Sequence, residues 1–404
     1  MRFYGFMFIW LCGIILNFGL SVCSAQTQQE EIPEPLEGVQ QWEDRVIAEL
    51  DEMARKADDN HYFTSICVYD LTYDALLYGY NHQKKMRPAS TQKLITAISA
   101  LDQLGPDYQF ATKMYYTGNV SIDAKGQGTL VGDIYIVGGM DPMFGKEGLN
   151  ALADSLKTHR INRLTGNVYA DVSMKDTMML GKGWCWDDDN PRLSPLTLSL
   201  SAIKSQISNL KSQISITYKT YPGGGTLVGT TSHTLKQVLQ RMLKQSDNGY
   251  AESVLYQLGA QKKKNCTFAD CVTQIKKTLS KTDQPLSSIE IADGSGLSLY
   301  NYITPRMEVA LLKYANQVPE IFNTLYPSLP IAGIDGTLSS RLKGTKAQGN
   351  VHAKTGTVSH VITLAGYLTA PTGHLFAFSI MSNGTDDKSE TRSFHDRILK
   401  ILTE

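Results

Sequence analysis

The stretch that most constrains this chain is Pro88-Ala89-Ser90-Thr91-Gln92-Lys93, with the run Leu94-Ile95-Thr96-Ala97-Ile98-Ser99-Ala100-Leu101 behind it. The run is apolar and free of Gly and Pro, which predicts a helix, and Pro88 suits its start. Residues three apart on a helix share a face, so Lys93 lies one turn from Ser90. Ser90 then occupies the first turn, where free N–H groups and the positive end of the dipole favour developing negative charge. A serine hydroxyl needs a nearby base to become a nucleophile, and a lysine can serve if burial or other cations keep it neutral. The pair alone does not establish this. Such spacing arises by chance in long chains, and a buried helix with a solvated lysine reads the same.

Composition narrows the class. Lys+Arg and Asp+Glu balance at 39 each among 404 residues, so no basic surplus points to nucleic acid as a partner. A hydrophobic share of 42% with 19% charged residues is ordinary for a folded soluble protein. Arg2, the apolar Phe3 to Leu20 and the small residues around Ser24-Ala25 read as a secretory signal cut after Ala25, leaving no integral membrane segment. The run is nearly long enough to span a bilayer, so an uncleaved anchor competes. Lipidation at Cys23 is disfavoured by the bulky Val22 before it. Cys67, Cys185, Cys266 and Cys271 remain after the leader. Export permits disulfides, with Cys266 and Cys271 the preferred pair and Cys67 as readily a free thiol in an apolar strand. No Cys/His cluster has zinc spacing, so neither metal nor cofactor is expected.

Along the chain, Trp42, Val46, Ile47, Leu50 and Met53 give Trp42 to Ala57 helical periodicity. Tyr62 to Tyr69 and Ala75 to Tyr80 predict a hairpin running into the Ser90 helix. Beyond Gly105-Pro106 come short strands and turns, one strand over Gly166 to Asp171, until Pro222-Gly223-Gly224-Gly225 reads as a linker. Helices return at Thr234 and at Tyr250, with Ser246-Asp247-Asn248 between them. Strands over Val361 to Thr369 and Leu375 to Ser382 precede a closing helix, Ser393 to Leu402. Early strands, central helices, late strands and a terminal helix make an α+β chain. Lys204-Ser205-Gln206-Ile207-Ser208 recurs as Lys211-Ser212-Gln213-Ile214-Ser215, too short a repeat for a solenoid. Trp184-Cys185-Trp186-Asp187-Asp188-Asp189 is either a binding wall for a cationic group or a packed corner with solvated acids.

Ser90-x-x-Lys93, Ser246-Asp247-Asn248 and Lys354-Thr355-Gly356, in that order, form a constellation beyond chance. With Gly138-Gly139-Met140-Asp141-Pro142, Asp293-Gly294-Ser295-Gly296-Leu297-Ser298 and Ile331 to Leu338, the chain resembles the penicillin-binding D-alanyl-D-alanine carboxypeptidases of the S13 peptidase family. The resemblance covers nearly the whole mature chain. It implies a β-lactamase/transpeptidase-like fold, an antiparallel sheet flanked by helices plus a helical lobe, with a mainly β accessory domain inserted. The implied division is a signal at 1–25, peptidase parts at 26–110 and 233–404, and an insert at 111–232 that is shorter than usual for the family. Also implied are export to a bacterial periplasm and action on peptidoglycan stem peptides ending in D-Ala-D-Ala. β-Lactams would acylate the same serine.

The resemblance gives Ser90 as nucleophile and Lys93 as general base. Ser246 would relay a proton to the leaving amine, and Asn248 would hold the substrate amide and Lys93. Lys354 and Thr355 would take the terminal carboxylate, Gly356 would permit close backbone approach, and the N–H groups of Ser90 and Thr357 would form the oxyanion hole. Asp187 or Asp188 would contact the cationic end of a diamino acid. The alternatives are a non-catalytic wall-binding relative and a serine β-lactamase.

Overall fold

A computed structural model describes residues 37–59, 62–187, 189–210 and 215–404. The leader, its cut after Ala25, Cys23 and Asp188 lie outside the described residues. The chain begins with α1 (Glu37–Asp59), which buries Trp42, Val46, Leu50 and Ala54 at helical spacing. The hairpin β1 (Phe63–Asp70) and β2 (Ala75–Tyr80) follows, with a bulge at Val68/Tyr69. A 3-10 turn, Ala89–Thr91, then leads into α2 (Gln92–Leu104).

The middle of the chain carries β3 (Gln109–Tyr116), β4 (Asn119–Ile122), β5 (Gly128–Val131) and β6 (Ile134–Val137). After these come α3 (Lys146–Thr158), β7 (Arg163–Leu164), β8 (Val168–Asp171), α4 (Leu200–Ile207), β9 (Ile216–Tyr218) and β10 (Thr226–Thr234). The helices α5 (Leu235–Lys244), α6 (Asn248–Ala260), α7 (Phe268–Leu279), α8 (Pro305–Gln317) and α9 (Pro319–Ser328) follow. The chain closes with β11 (His352–Val358), β12 (Val361–Thr369), β13 (Leu375–Asn383) and α10 (Lys388–Thr403).

One antiparallel sheet has the order β11-β12-β13-β1-β2, so strands from the two ends of the sequence share it. Phe63 pairs with Asn383 and Asp70 with Phe376 across that join. Helices cover both faces. Leu94, Ile98, Leu239, Val254, Leu312 and Tyr367 belong to the core on one side, and Trp42, Leu50, Ile66, Phe376, Phe378 and Ile398 to the core on the other. Two-sided cover explains why β1, β12 and β13 are buried along nearly their whole length instead of at every second residue. A second, mixed sheet, β10-β3-β6-β8-β9, and the small sheet β4-β5-β7 share a third core with Met114, Ile136, Leu152, Val168 and Ile203. The fold is α+β.

The expected bridge between Cys266 and Cys271 is not formed. Both thiols are buried and free, and each donates to a backbone carbonyl, Cys266 to Tyr256 at 3.6 Å and Cys271 to Thr267 at 3.3 Å. Cys271 sits in the first turn of α7, where the capping residue Thr267 offers its carbonyl. Cys67 is a free thiol in β1, pushed up to about 12 by burial. The strand expected from Gly166 begins at Val168. Of the repeated pentapeptide, the first copy closes α4, and most of the second lies outside the described residues.

Candidate active site

The site lies where the 3-10 turn, the α5–α6 junction, the Asp293–Ser298 loop and β11 converge. Thr363 of β12 and Thr91 both donate to the carbonyl oxygen of Pro88, at 2.7 and 2.9 Å, tying the Ser90 turn to the sheet. Ala89, just before Ser90, has φ 47°, and Ser246 has φ 60°. Non-glycine residues in this region are held by their surroundings at some cost. Gly296 supplies part of that hold, because a Cβ there, at φ 79°, would strike the carbonyl of Ala89.

Lys93 is fully buried in the first turn of α2. Its Nζ reaches Ser90 Oγ at 3.0 Å, Asn248 Oδ1 at 2.7 Å and the carbonyl oxygen of Ser295 at 2.7 Å. Three acceptors satisfy an ammonium. They equally suit a neutral amine that donates to Asn248 and Ser295 and accepts from the serine hydroxyl. Burial pushes the amine down to about 8, against the opposing pull of the Asp293, Glu252 and Asp247 carboxylates. Asn248 is delivered as the first residue of α6 because Asp247 caps that helix, accepting from the N–H of Tyr250 at 3.2 Å.

Lys354 is also fully buried, on β11. Its Nζ donates to Ser246 Oγ at 2.9 Å and to the carbonyl of Thr355 at 2.6 Å. Burial, then the charge of Lys93, holds its ammonium well below the usual lysine range. Thr355 donates to Thr337 Oγ1 at 2.7 Å. A Cβ on Gly356 would collide with Thr363 Oγ1 and stand 2.9 Å from the backbone nitrogen of Ser90. β11 can therefore lie this close to Ser90 only with glycine there. A cleft of about 430 Å³ opens over Ser90, Ser246, Thr355, Gly356 and Thr357.

All eight residues of the three motifs named in sequence thus meet in one place. Asp187 does not join them: it is exposed and does not line the cleft, and Asp188 lies outside the described residues. The tryptophans divide. Trp184 is buried, its indole donating to Asp293 at 2.9 Å, whereas Trp186 is 84% exposed. The corner reading holds for Trp184.

Sequence reasoning missed several contributors. Ser295 lies in a glycine-rich stretch already singled out, but only the fold reveals its carbonyl against Lys93. Glu252 is a fully buried carboxyl whose two oxygens take the Gly294 N–H at 3.0 and 3.2 Å. Its one signal was a charge inside the apolar run from Tyr250 to Leu258. Arg341 and Arg392 line the cleft from positions with no motif. Arg341 is held by Asp396 at 2.7 Å, while Arg392 donates to Thr357 Oγ1 at 3.4 Å. Among the described residues no group of His, Cys, Asp and Glu is arranged to hold a metal.

The sequence profile of the D-Ala-D-Ala carboxypeptidase 3 (S13) family matches residues 46–199 and 197–404. A D-alanyl-D-alanine carboxypeptidase of Actinomadura sp. (strain R39) is 27% identical over 425 residues, covering 80% of this chain and 78% of that protein. Penicillin-binding protein 4 of Haemophilus influenzae has the same fold, with a TM-score of 0.75 at 23% identity over 84% of this chain and 95% of that one. In complex with a β-lactam, the Haemophilus protein superposes with a TM-score of 0.71 at 22% identity, over 89% and 99% of the two chains. The profile spans nearly all of the chain from Val46 onward, the site retains the serine and both lysines, and the protein therefore belongs to the D-Ala-D-Ala carboxypeptidase 3 (S13) family and is a serine carboxypeptidase.

Proposed function

We propose that the chain is an exported serine D,D-peptidase that removes the terminal D-alanine from peptidoglycan stems through an acyl-enzyme on Ser90. The observation that carries this reading is the contact of a buried, pKa-depressed Lys93 with Ser90 Oγ at 3.0 Å, opposite a second buried lysine, Lys354. Lys93 takes the hydroxyl proton as Ser90 attacks the carbonyl between the two D-alanines. The N–H groups of Ser90 and Thr357 receive the oxyanion. Losing such a donor costs about 3–4 kcal/mol of barrier.

Ser246 then passes its hydroxyl proton to the leaving amine and is reprotonated with the proton that Lys93 took, which returns Lys93 to its neutral form, with Lys354 at the Ser246 hydroxyl. Lys354 and Thr355 hold the carboxylate of the departing residue, and Asn248 holds the substrate amide while keeping Lys93 in place. Water finally hydrolyses the ester, with Lys93 again as base. A β-lactam acylates Ser90 in the same way but keeps its leaving group tethered. The segment 111–232 acts as an accessory domain to peptidase parts at 26–110 and 233–404. The first 25 residues direct export to the periplasm. Asp187 or Asp188 remains the candidate partner for a diamino-acid cation. The same chemistry on a cross-linked stem would make the protein an endopeptidase, and digesting purified cross-linked muropeptides apportions the two activities.

The test is release of free D-alanine from a soluble pentapeptide ending in D-Ala-D-Ala. The native protein should release it, and Ser90→Ala should release none. Equal release by both would remove Ser90 from the chemistry, and no release by either would leave a non-catalytic relative.

A further inference from the structure

The largest hollow among those described is not the catalytic one. A cleft of about 670 Å³ lies between the ends of β8 and β9, the Arg192–Pro195 segment and the Lys264-Asn265 turn beyond α6, against about 430 Å³ around Ser90. A second hollow of about 400 Å³ shares Ser173, Thr220 and Lys264 with it and continues to Lys113, Gln257 and Gln261. The two form one groove along the seam between the second sheet and α6.

Its charge is one-sided, although the whole chain sums to zero. Lys113, Arg192, Lys219 and Lys264 are exposed along the groove, and among the described residues none of them pairs with a carboxylate. The groove's own acids are engaged. Asp171 accepts the N–H groups of Ser173 and Tyr221, each at 2.8 Å, and Asp176 pairs with the buried Lys175 at 3.1 Å. Lys263 is matched by Asp270 at 3.3 Å. Tyr218, 52% exposed, adds flat ring surface to the walls, beside Tyr221, which is stacked on Tyr115 with ring centres 4.5 Å apart.

α6 connects this groove to the chemistry. Asn248 at its start touches Lys93, and Gln257 and Gln261 at its far end line the groove. Its 13 residues span about 20 Å at the helical rise. An extended peptide of five residues spans roughly 17 Å. One strand of a branched polymer can therefore place a stem in the catalytic cleft while a neighbouring part lies in the groove.

We propose that this groove is a second, non-catalytic binding site for a carboxylate-bearing glycopeptide segment of the wall polymer. The proposal rests on the peptidase reading above for the identity of the polymer. These cations, which lack carboxylate partners among the described residues although Lys219 lies over the Tyr169 ring at 4.3 Å, meet the carboxylates of neighbouring stems, and the exposed Tyr218 ring meets sugar or peptide C–H surface. The groove holds the enzyme on an insoluble substrate and leaves turnover of short soluble peptides untouched.

The experiment measures co-sedimentation with purified insoluble peptidoglycan, in a Ser90→Ala background so that the polymer is not digested. The background protein should be retained, and retention should fall at least about ten-fold in K219E/K264E or when the polymer's carboxyl groups are amidated, as for a site built on charge pairing. Both lysines are exposed, so reversing their charge leaves the core intact. With Ser90 restored, K219E/K264E should release D-alanine from a soluble pentapeptide at the parent rate. No retention of the background protein, undiminished retention of the variant, or undiminished retention on amidated polymer would overturn the proposal. Loss of D-alanine release by the native protein would instead count against the peptidase reading, because retention is measured without it.

Discussion

Lys93 decides what the site can do. An ammonium contacting Ser90 Oγ cannot accept its proton, so acylation must rise with pH as Lys93 loses its charge, through about 8. The groups facing that amine are Asp247 and Asn248 at the start of α6, Glu252 further along it, Asp293 in the glycine-rich loop, and Lys354 on β11. Glu252 is an informative neighbour because burial, then Asp293, pushes its own carboxyl up to about 8. In its ionised form it raises the pKa of Lys93. Glu252→Gln keeps an oxygen for the Gly294 N–H but removes that charge. The acid limb of penicillin acylation against pH should therefore move to lower pH in Glu252→Gln. A limb that superposes on that of the native protein would limit Glu252 to a packing role.

At the scale of elements, the groups of the site come from four separate segments held by short-range contacts. The Asp293–Ser298 loop is central. Asp293 accepts from Trp184, Gly296, Ser298 and Asn301, and Thr96 of α2 donates to the Gly294 carbonyl at 2.7 Å. This loop presents the Ser295 carbonyl to Lys93 and sets Gly296 against Ala89. Gly296→Ala should cut acylation by about 10²-fold or more, the usual effect of misplacing reacting groups by an ångström. Native-like acylation in that variant would show that the turn does not depend on the loop. The helical lobe has a polar tie of its own. Asp102 at the end of α2 accepts from Lys281 at 2.7 Å, Tyr314 at 2.5 Å and Thr278 at 2.8 Å. Burial works to raise the Asp102 carboxyl, but these hydrogen bonds outweigh it and hold its pKa below the usual value. Stability from this source is complete above the unfolded value of about 3.9 and is lost as pH falls through the lower folded value. Asp102→Asn should cost about 1–3 kcal/mol at neutral pH by denaturant unfolding, with the gap closing in acid. An unchanged midpoint at neutral pH would contradict this.

For the molecule as a whole, what sequence makes legible is local. The Ser90 helix, the β1–β2 hairpin, the capped α6 and the late strands each announce themselves by period, cap or turn residue. The pairing of Phe63 with Asn383 does not, because strand partners far apart in sequence leave no periodic trace in either strand. The same holds for Ser295, Glu252 and Arg392, which reach the site only through tertiary packing. The three motifs were legible because each is a short segment bearing its chemistry within a few residues. Cys266 and Cys271, preferred as a pair for their closeness in sequence, do bring their thiols together, but both are free here and each also donates to a backbone carbonyl. No helix among the described residues is long and apolar enough to cross a membrane. The account as a whole depends on Ser90 being the group that becomes acylated. Mass spectrometry of proteolytic peptides after exposure to labelled penicillin tests this most directly. The account predicts a single covalent adduct on the peptide containing Ser90, at the serine itself. An adduct on any other residue, or none, would contradict it.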